Sequence, residues 1–278
     1  MIIFILSVMA AIGTGLYVYF EQVPTTGINL WSLPVIFPLM FVAAFVIFYL
    51  ILGIISLFLD PKKIQLDPPR FFSMMIEWTT RFLITFSRMK IVFENEDLIP
   101  KNHKFFLISN HQSNWDPITL IGRVHGHTLT YIMKDSLLNV PIVGTWLRHS
   151  GFLPLDRKND RKALEVVLMA IKKVKGGQSL GVCPEGTRSK GPQLGEFRPG
   201  VFKIPLKAEA PIVIVALDGF YKIKFHWPFR TTQVYLKVCE VLPYESFASM
   251  SSVQISEKTH AIIQADLEAA RIKYPWLN

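Results

Sequence analysis

The first 60 residues restrict the possible fold most strongly, because they contain no Lys or Arg and only Glu21 and Asp60 as acidic residues. Two apolar stretches, residues 1–20 and 38–59, lie in this region, and each is long enough to cross a bilayer as a helix. A pair of buried core helices is the alternative, but uncharged runs of this length are rare in soluble domains. We therefore predict two transmembrane helices, a helical hairpin, within residues 1–60.

The distribution of charge predicts an orientation for this hairpin. The rest of the chain contains all 30 Lys and Arg residues and 19 of the 21 acidic residues, so its formal net charge is 30 − 19 = +11. No basic residue separates the two apolar stretches, whereas Lys62, Lys63 and Arg70 follow the second one. Basic residues favour the cytosolic side, so we predict an integral membrane protein whose charged part faces an anionic inner leaflet. Nucleic acid is a weaker explanation of the charge, because the apolar stretches already account for the location.

Short apolar runs and helical patterns alternate after residue 90. The strand candidates are residues 91–94, 104–109, 129–133, 152–155, 179–183, 211–217 and 233–241. One helix begins at Asn159 or Asp160 and ends at a Gly-Gly pair, and another covers residues 253–273. The inward face of the first of these helices is predicted from its apolar residues, which are Leu164, Val167, Leu168, Ile171 and Val174. The alternation predicts a single α/β domain, residues 91–278, with a mostly parallel or mixed sheet flanked by helices.

Residues 61–90 form a linker and an amphipathic segment. Three prolines within residues 60–70 mark a boundary, and apolar side chains then recur at three- and four-residue steps through residues 71–89. This helix either lies in the membrane interface, with Trp78 at the level of the headgroups, or packs on the sheet of its own domain. The pattern agrees equally well with both arrangements. Farther along, Cys183 and Cys239 lie in apolar runs and suit a reducing compartment without a disulfide.

A histidine and an aspartate with four residues between them, His111 and Asp116, follow the second predicted strand. Side chains between a strand and the next helix lie at the carboxyl end of an α/β sheet, where such proteins place reactive groups. A His can act as a general base near neutral pH, and an Asp can hold its other ring nitrogen. The alternative is an Asn-rich turn in which Asp116 caps the following helix.

A tight turn of sequence Pro-Glu-Gly-Thr-Arg-Ser, residues 184–189, follows another buried strand. Gly186 lets backbone N–H groups face a ligand, while Thr187 and Arg188 add side-chain donors. Such a turn suits a phosphate or a carboxylate, with the arginine as a fork for two oxygens. The alternative is an ordinary surface turn with a solvated arginine. Arg157 is a candidate second phosphate contact, or else a surface ion-pair partner.

In their order along the chain, these segments resemble the four sequence blocks of the glycerolipid acyltransferases, specifically those that act on 1-acylglycerol-3-phosphate (lysophosphatidate). The matching blocks are residues 110–116, 151–157, 184–189 and 210–215, and the resemblance covers roughly residues 90–220. Pro154 and Ile214 depart from the residues that are usual in the family. The resemblance implies a fold like that of the glycerol-3-phosphate acyltransferases.

The resemblance also implies a reaction, in which a fatty acyl group moves from a thioester to the 2-hydroxyl of lysophosphatidate and forms phosphatidate. It implies that His111 is the general base and that Asp116 assists it. The phosphate would be held by the turn of residues Glu185, Gly186, Thr187 and Arg188, the last of these supplying the guanidinium. The donor would be acyl-CoA or acyl carrier protein.

Three further residues receive predictions of their own. Arg157 is expected to help hold the phosphate, and Glu185 is expected to orient the turn or Arg188 and to take no part in proton transfer. Lys134 resembles a lysine common in the family, and it either binds a headgroup or carrier or is a solvated strand end.

Other functions remain possible from the sequence. They are acylation of another lysolipid or of glycerol-3-phosphate, hydrolysis by a lipase or thioesterase, and a non-catalytic lipid-binding membrane protein. The chain lacks the Gly-x-Ser-x-Gly nucleophile turn of serine hydrolases, which speaks against hydrolysis. We predict no bound cofactor and no metal, since His125 and His127 lie near each other in the sequence without an evident third ligand.

Overall fold

The computed structural model describes residues 2–22, 30–101, 104–124, 129–156 and 159–278. The chain forms two compact units, Met1–Lys62 and Lys63–Asn278.

Two helices make up the first unit, α1 (Ile2–Tyr17), which continues as a π-helical segment Val18–Gln22, and α2 (Leu33–Leu57). They pack against each other, and a Cβ on Gly13 would lie 3.2 Å from the sulfur of Met40. By length and composition, α2 is the one helix among the described residues that could cross a membrane. Two helices are therefore present where two were predicted, and one of them is a candidate span, while the crossing of a membrane by both stays a prediction.

The second unit contains a seven-stranded sheet. Its strands are β1 (Met89–Glu94), β2 (Phe106–Ser109), β3 (Leu129–Lys134), β4 (Leu153–Leu155), β5 (Ser179–Val182), β6 (Ile212–Asp218) and β7 (Thr232–Leu242). All seven predicted strands are present, and their ends differ from the predicted ones by at most two residues. The order across the sheet is β1-β7-β6-β2-β5-β3-β4.

The strand directions decide which loops meet. Strands β6, β2, β5, β3 and β4 run parallel, β7 runs antiparallel to β6, and β1 runs parallel to β7. The sheet is therefore mixed and mostly parallel, which confirms the predicted fold class. Five strands end at one edge of the sheet, and β7 and β1 begin there; we call it the carboxyl edge. β4 closes one side of the sheet, where Pro154 is tolerated because an edge strand needs no second partner.

Helices cover both faces of the sheet. They are α3 (Arg70–Phe86), α4 (Trp115–Arg123), α5 (Asp135–Leu138), α6 (Val143–His149), α7 (Asp160–Lys175), α8 (Lys203–Ala208), α9 (Ile223–His226) and α10 (Ser252–Lys273). Successive side chains of a strand point to opposite faces, so Phe106 and Ile108 join the core with α7 and α10, whereas Phe105 and Leu107 join the core with α4. Both faces of β2 are buried, which explains its unbroken apolar sequence.

Helix α3 packs on the domain through α4. A Cβ on Gly122 of α4 would lie 2.5 Å from Cδ1 of Ile84, so the glycine allows close approach of the two helices. Met75 and Thr80 of α3 are buried, whereas Leu83 and Phe86 are exposed. One face of the amphipathic helix therefore packs on its own domain, and other apolar side chains of the helix remain exposed.

The chain just before α3 is also fixed to the domain. The backbone N–H of Gln65 donates to the Arg148 carbonyl at 3.1 Å, and the buried Lys173 donates from Nζ to the Leu66 carbonyl at 3.1 Å. Burial lowers the pKa of Lys173 to about 8. The proline-rich segment thus belongs to the second unit, and it accounts for a lysine inside the protein.

The predicted inward face of α7 is wrong in part. Leu164 and Leu168 are 59% and 58% exposed, while Val166, Ala170 and Val174 are buried. The face of α7 that packs on the sheet is therefore rotated relative to the apolar stripe predicted from the sequence. The small Ala170 lies at the centre of this face, and the segment before α3 covers the following turn, which contains Lys173. The predicted cap is confirmed, since Asn159 accepts a hydrogen bond from the Lys162 backbone N–H at 3.1 Å.

Candidate active site

The loop between β2 and α4 lies at the carboxyl edge and contains His111. Its first residue, the buried Asn110, is paired with β6 through two hydrogen bonds of 2.8 Å. The Asn110 amide donates to the Leu217 carbonyl and accepts from the Leu217 backbone N–H. An amide that forms both bonds fixes its own position and that of the loop it begins.

His111 and Asp116 are hydrogen-bonded, with 2.8 Å between Nδ1 and Oδ2. The Asp116 side chain is fully buried, and the His111 side chain is 16% exposed. The same Oδ2 accepts the backbone N–H groups of Gln112 at 2.6 Å and Ser113 at 2.8 Å. Asp116 is therefore not the helix cap of the alternative interpretation, since it lies inside α4 and its carboxylate bonds residues before the helix. Because Nδ1 is engaged, Nε2 is the nitrogen left for a substrate.

Two neighbours determine the protonation of His111. Burial lowers its pKa, but the nearby Cys183 sulfur and the Asp116 carboxylate raise it to about 10. Cys183 lies at the end of β5, and its sulfur is 3.7 Å from Oγ of Ser109. Both neighbours therefore stabilise the imidazolium and make the imidazole of His111 a stronger base.

Glu185 connects the second loop to the first. One carboxylate oxygen accepts the His111 backbone N–H at 2.6 Å, and the other accepts the Gly195 backbone N–H at 3.0 Å. The Ser189 backbone N–H donates to the His111 carbonyl at 2.8 Å. Both sides of the His111 backbone are thus held by residues of this loop. Burial raises the pKa of Glu185, which these backbone donors partly oppose.

The turn at Gly186 has an open, cationic side. Gly186 has φ +70°, and a Cβ there would lie 3.0 Å from Nε of Arg198. Thr187, Arg188 and Arg198 are exposed, and no hydrogen bond or ion pair of either guanidinium occurs within the part of the chain that the structure describes. Sequence reasoning missed Arg198. Its signal was the Phe-Arg-Pro-Gly sequence shortly after the turn.

No contact between the remaining predicted residues and His111 is seen among the described residues. Lys134 is exposed at the end of β3, on the carboxyl edge but two strands from β2. Arg157 lies outside the described residues, as do His125 and His127. Among the residues that are described, no group of three or more His, Cys, Asp or Glu side chains could hold a metal ion.

A buried polar chain behind His111 was also missed. Gln112 Nε2 donates to Oδ1 of the fully buried Asp218 at 2.9 Å, and Oε1 of Gln112 accepts the Phe220 backbone N–H at 3.2 Å. The other Asp218 oxygen accepts from Nε of Arg271 in α10 at 2.8 Å. The last helix of the chain therefore supports the loop that contains the His111–Asp116 pair.

Comparisons with known proteins agree with this geometry. Residues 90–218 match the family described as Acyltransferase. The chain is 36% identical over 116 residues to the chloroplastic 1-acyl-sn-glycerol-3-phosphate acyltransferase BAT2 of Brassica napus, which is 42% of this chain and 33% of that protein. It is 32% identical over 129 residues to the 1-acyl-sn-glycerol-3-phosphate acyltransferase of Borreliella burgdorferi, 46% of this chain and 51% of that protein. The residues that match the family make up a little under half of the chain, and this segment is similar to acyltransferases.

A solved structure extends the similarity of the chain beyond these segments. The crystal structure of the 1-acyl-sn-glycerophosphate (LPA) acyltransferase PlsC from Thermotoga maritima aligns with a TM-score of 0.60 and 26% sequence identity. The alignment covers 72% of this chain and 79% of that one. In contrast, the chain spans only about a third to a half of the length of the two relatives above.

Proposed function

We propose that this protein is an acyltransferase that moves a fatty acyl group from a thioester to the 2-hydroxyl of lysophosphatidate and forms phosphatidate. The observation that carries the proposal is the hydrogen bond between His111 Nδ1 and the buried Asp116, in a loop whose backbone is bonded to the turn that contains Arg188. The names of the similar proteins agree with this substrate.

His111 acts as the base in this reaction. Nε2 accepts the proton of the 2-hydroxyl while its oxygen attacks the thioester carbonyl, and the tetrahedral intermediate then expels the thiolate. The imidazolium returns the proton to that thiolate, so atoms and charges balance. Asp116 keeps Nδ1–H directed away from the substrate and stabilises the imidazolium. General base assistance of this kind gives about 10²- to 10⁴-fold in rate.

The phosphate of the acceptor binds at the turn around Gly186. A phosphomonoester carries nearly two negative charges at neutral pH, and the exposed Arg188 and Arg198 can neutralise both. The Thr187 hydroxyl adds a donor, and Arg157 and Lys134 are further candidates. Fixing the phosphate places the hydroxyl next to His111 and makes its attack nearly unimolecular.

The proposed location is a membrane, with the second unit on its cytosolic side, as the positions of Lys and Arg indicate. The donor is a thioester of coenzyme A or of acyl carrier protein. The other proposed partners are membrane lipids, since both the acceptor lysophosphatidate and the product phosphatidate lie in the bilayer.

The test is an acceptor and donor screen of the full chain in vesicles, with product analysis by mass spectrometry. We expect phosphatidate from lysophosphatidate and an acyl thioester. Free fatty acid in its place would indicate a hydrolase, and faster turnover of glycerol-3-phosphate would move the reaction to its first hydroxyl. Absence of product with every lysolipid would favour a non-catalytic lipid-binding protein.

A matched variant links the product to the site. His111→Ala is expected to lower kcat by at least about 10²-fold, the smaller value typical of general base catalysis. The variant is expected to keep its fold, because Asp116 still accepts the Gln112 and Ser113 backbone N–H groups and the Asn110 and Glu185 bonds to this loop remain. Parental turnover in the variant would refute the role of His111.

A further inference from the structure

We propose that the second unit has its own membrane-docking surface, an aromatic and basic patch at the carboxyl edge that binds the interface of an anionic phospholipid bilayer. The edge patch consists of Phe86 at the end of α3 and Phe225, Trp227 and Phe229 in the loop between β6 and β7, together with the basic residues around them. This surface is additional to the apolar helices of the first unit.

The aromatic side chains of the edge patch are exposed together. Phe86, Phe225, Trp227 and Phe229 are 52%, 72%, 54% and 85% exposed, respectively. Trp227 Nε1 donates to the Phe86 carbonyl at 3.3 Å, so the loop and the end of α3 are in direct contact. Exposed apolar side chains on a protein surface are normally scattered singly, and a contiguous cluster of them marks an interaction site.

The sequence segments that form the edge patch carry charge of a single sign. Residues 78–93 and 219–239, which include the patch, contain no Asp or Glu. Arg88, Lys224 and Arg230 form no ion pair within the described ranges of the chain. Lys224 instead lies over the ring of Phe225, with Nζ 4.4 Å from its centroid.

This combination favours a bilayer over a second copy of the chain. Aromatic rings and basic side chains bind the headgroup level of anionic membranes, with Trp and Phe inserted and Lys and Arg near the phosphates. Pairing of two edge patches in a symmetric dimer would bring the same positive charges together without an acidic partner. Charge complementarity therefore indicates a lipid surface.

The strand directions place the edge patch beside the candidate active site. β6 ends, and β7 and β1 begin, at the same edge where β2 leads into His111. Neighbouring strands lie about 4.8 Å apart, and β7 and β1 are two and three strands from β2, so the patch starts roughly 10–15 Å away. Docking there brings headgroups to the entrance of the site. The delivery of a lipid acceptor to His111 rests on the proposed function, whereas the existence of the docking surface does not.

A photocrosslinking experiment tests the docking surface without any need for activity. The full chain with benzoylphenylalanine in place of Phe229 is reconstituted in vesicles of phosphatidylglycerol and phosphatidylcholine, irradiated and analysed for lipid adducts by mass spectrometry. The matched control carries the same group in place of Val253, which is exposed at the start of α10, on the opposite edge from the patch.

We expect lipid adducts at position 229 and few at position 253, with fewer at 229 in vesicles of phosphatidylcholine alone. Equal adducts at the two positions, or a crosslinked protein dimer at 229, would overturn the proposal. Both positions are exposed, so the group is accommodated without disturbing the core.

A second measurement addresses the basic residues. Lys224→Gln and Arg230→Gln are each expected to lower the yield of adducts at position 229 by about fivefold in the anionic vesicles, the effect of one basic residue near such a surface. Lys258→Gln, in the first half of α10, is the control and is expected to leave the yield unchanged. An unchanged yield in all three variants would refute an anionic partner. Because adducts are counted and turnover is not, failure here is distinct from failure of the proposed reaction.

Discussion

His111 is held on three sides, by Asp116 at its ring, by Glu185 at its backbone N–H and by Ser189 at its carbonyl. The ring and the main chain are therefore fixed before any ligand binds. Preorganisation of this kind lowers the free energy needed to reach a reactive geometry.

The two exposed arginines of the turn give a prediction about substrate affinity. Arg188→Ala and Arg198→Ala are each expected to raise KM for the phosphorylated acceptor by about 10- to 100-fold, the effect of one charge-assisted hydrogen bond, with a smaller change in kcat. Steady-state kinetics with lysophosphatidate measure both constants. Arg161→Ala, an exposed arginine of α7, is the control. An unchanged KM in either turn variant would remove that residue from the phosphate site.

The sulfur beside the base gives a prediction about pH. Cys183 raises the pKa of His111, so Cys183→Ala is expected to lower that pKa. A base with a lower pKa is unprotonated at lower pH, and the acid limb of kcat/KM should move in that direction. Cys239→Ala changes the other cysteine, on β7, and is expected to leave the limb in place. Coincident profiles of the parent and Cys183→Ala would show that the sulfur has no such influence.

The sequence contained part of this site. The pairing of His111 with Asp116 lies within one loop, so its spacing is visible in the sequence, although the catalytic roles stay predictions. Arg198 was missed because its position beside Gly186 depends on how the chain returns after the turn. The Glu185 contact to the His111 backbone joins residues 74 positions apart, a distance over which no local pattern acts.

Among the elements, the strands were visible in the sequence and the covering helices less so. A buried strand reads as a short apolar run, which β2, β5 and β6 all show. The predicted inward face of α7 was wrong in part, because the true face includes the buried Lys173. Its amine is bonded to the carbonyl of Leu66, which is distant in the sequence, so no local pattern indicates that it is buried. The order of strands in the sheet follows from long-range pairing and was not predicted.

The contact between α7 and the segment before α3 predicts a dependence of stability on pH. Burial lowers the pKa of Lys173 from 10.5 to about 8, so the folded state binds this proton more weakly than the unfolded state. Stability from this group therefore rises with pH between about 8 and 10.5. Lys173→Met removes the titration, and its Tm is expected to gain less than that of the parent over this range.

Thermal unfolding of the second unit at a series of pH values measures this difference. Lys172→Met changes the exposed neighbour on the same helix and is expected to keep the parental dependence. Identical pH profiles for the parent and Lys173→Met would mean that the buried amine does not titrate in this range.

At the scale of the molecule, the last helix supports the site through Arg271 and Asp218. Arg271→Met leaves a buried carboxylate without its cation, and we expect a loss of about 3–5 kcal/mol in stability together with lower turnover. Lys273→Met breaks the exposed pair with Glu94 and is expected to change stability by less than about 1 kcal/mol. Chemical denaturation measures both. Equal effects of the two variants would show that the buried ion pair does not couple α10 to the loop.

The clamped backbone of His111 has a kinetic meaning for the molecule as a whole. The His111 ring is hydrogen-bonded at Nδ1 and its backbone at both the N–H and the carbonyl, so the side chain cannot move out toward a reactant. The alcohol has to travel to the imidazole, so orientation and diffusion of the lipid, and not rearrangement of this histidine, would govern how often a productive encounter takes place.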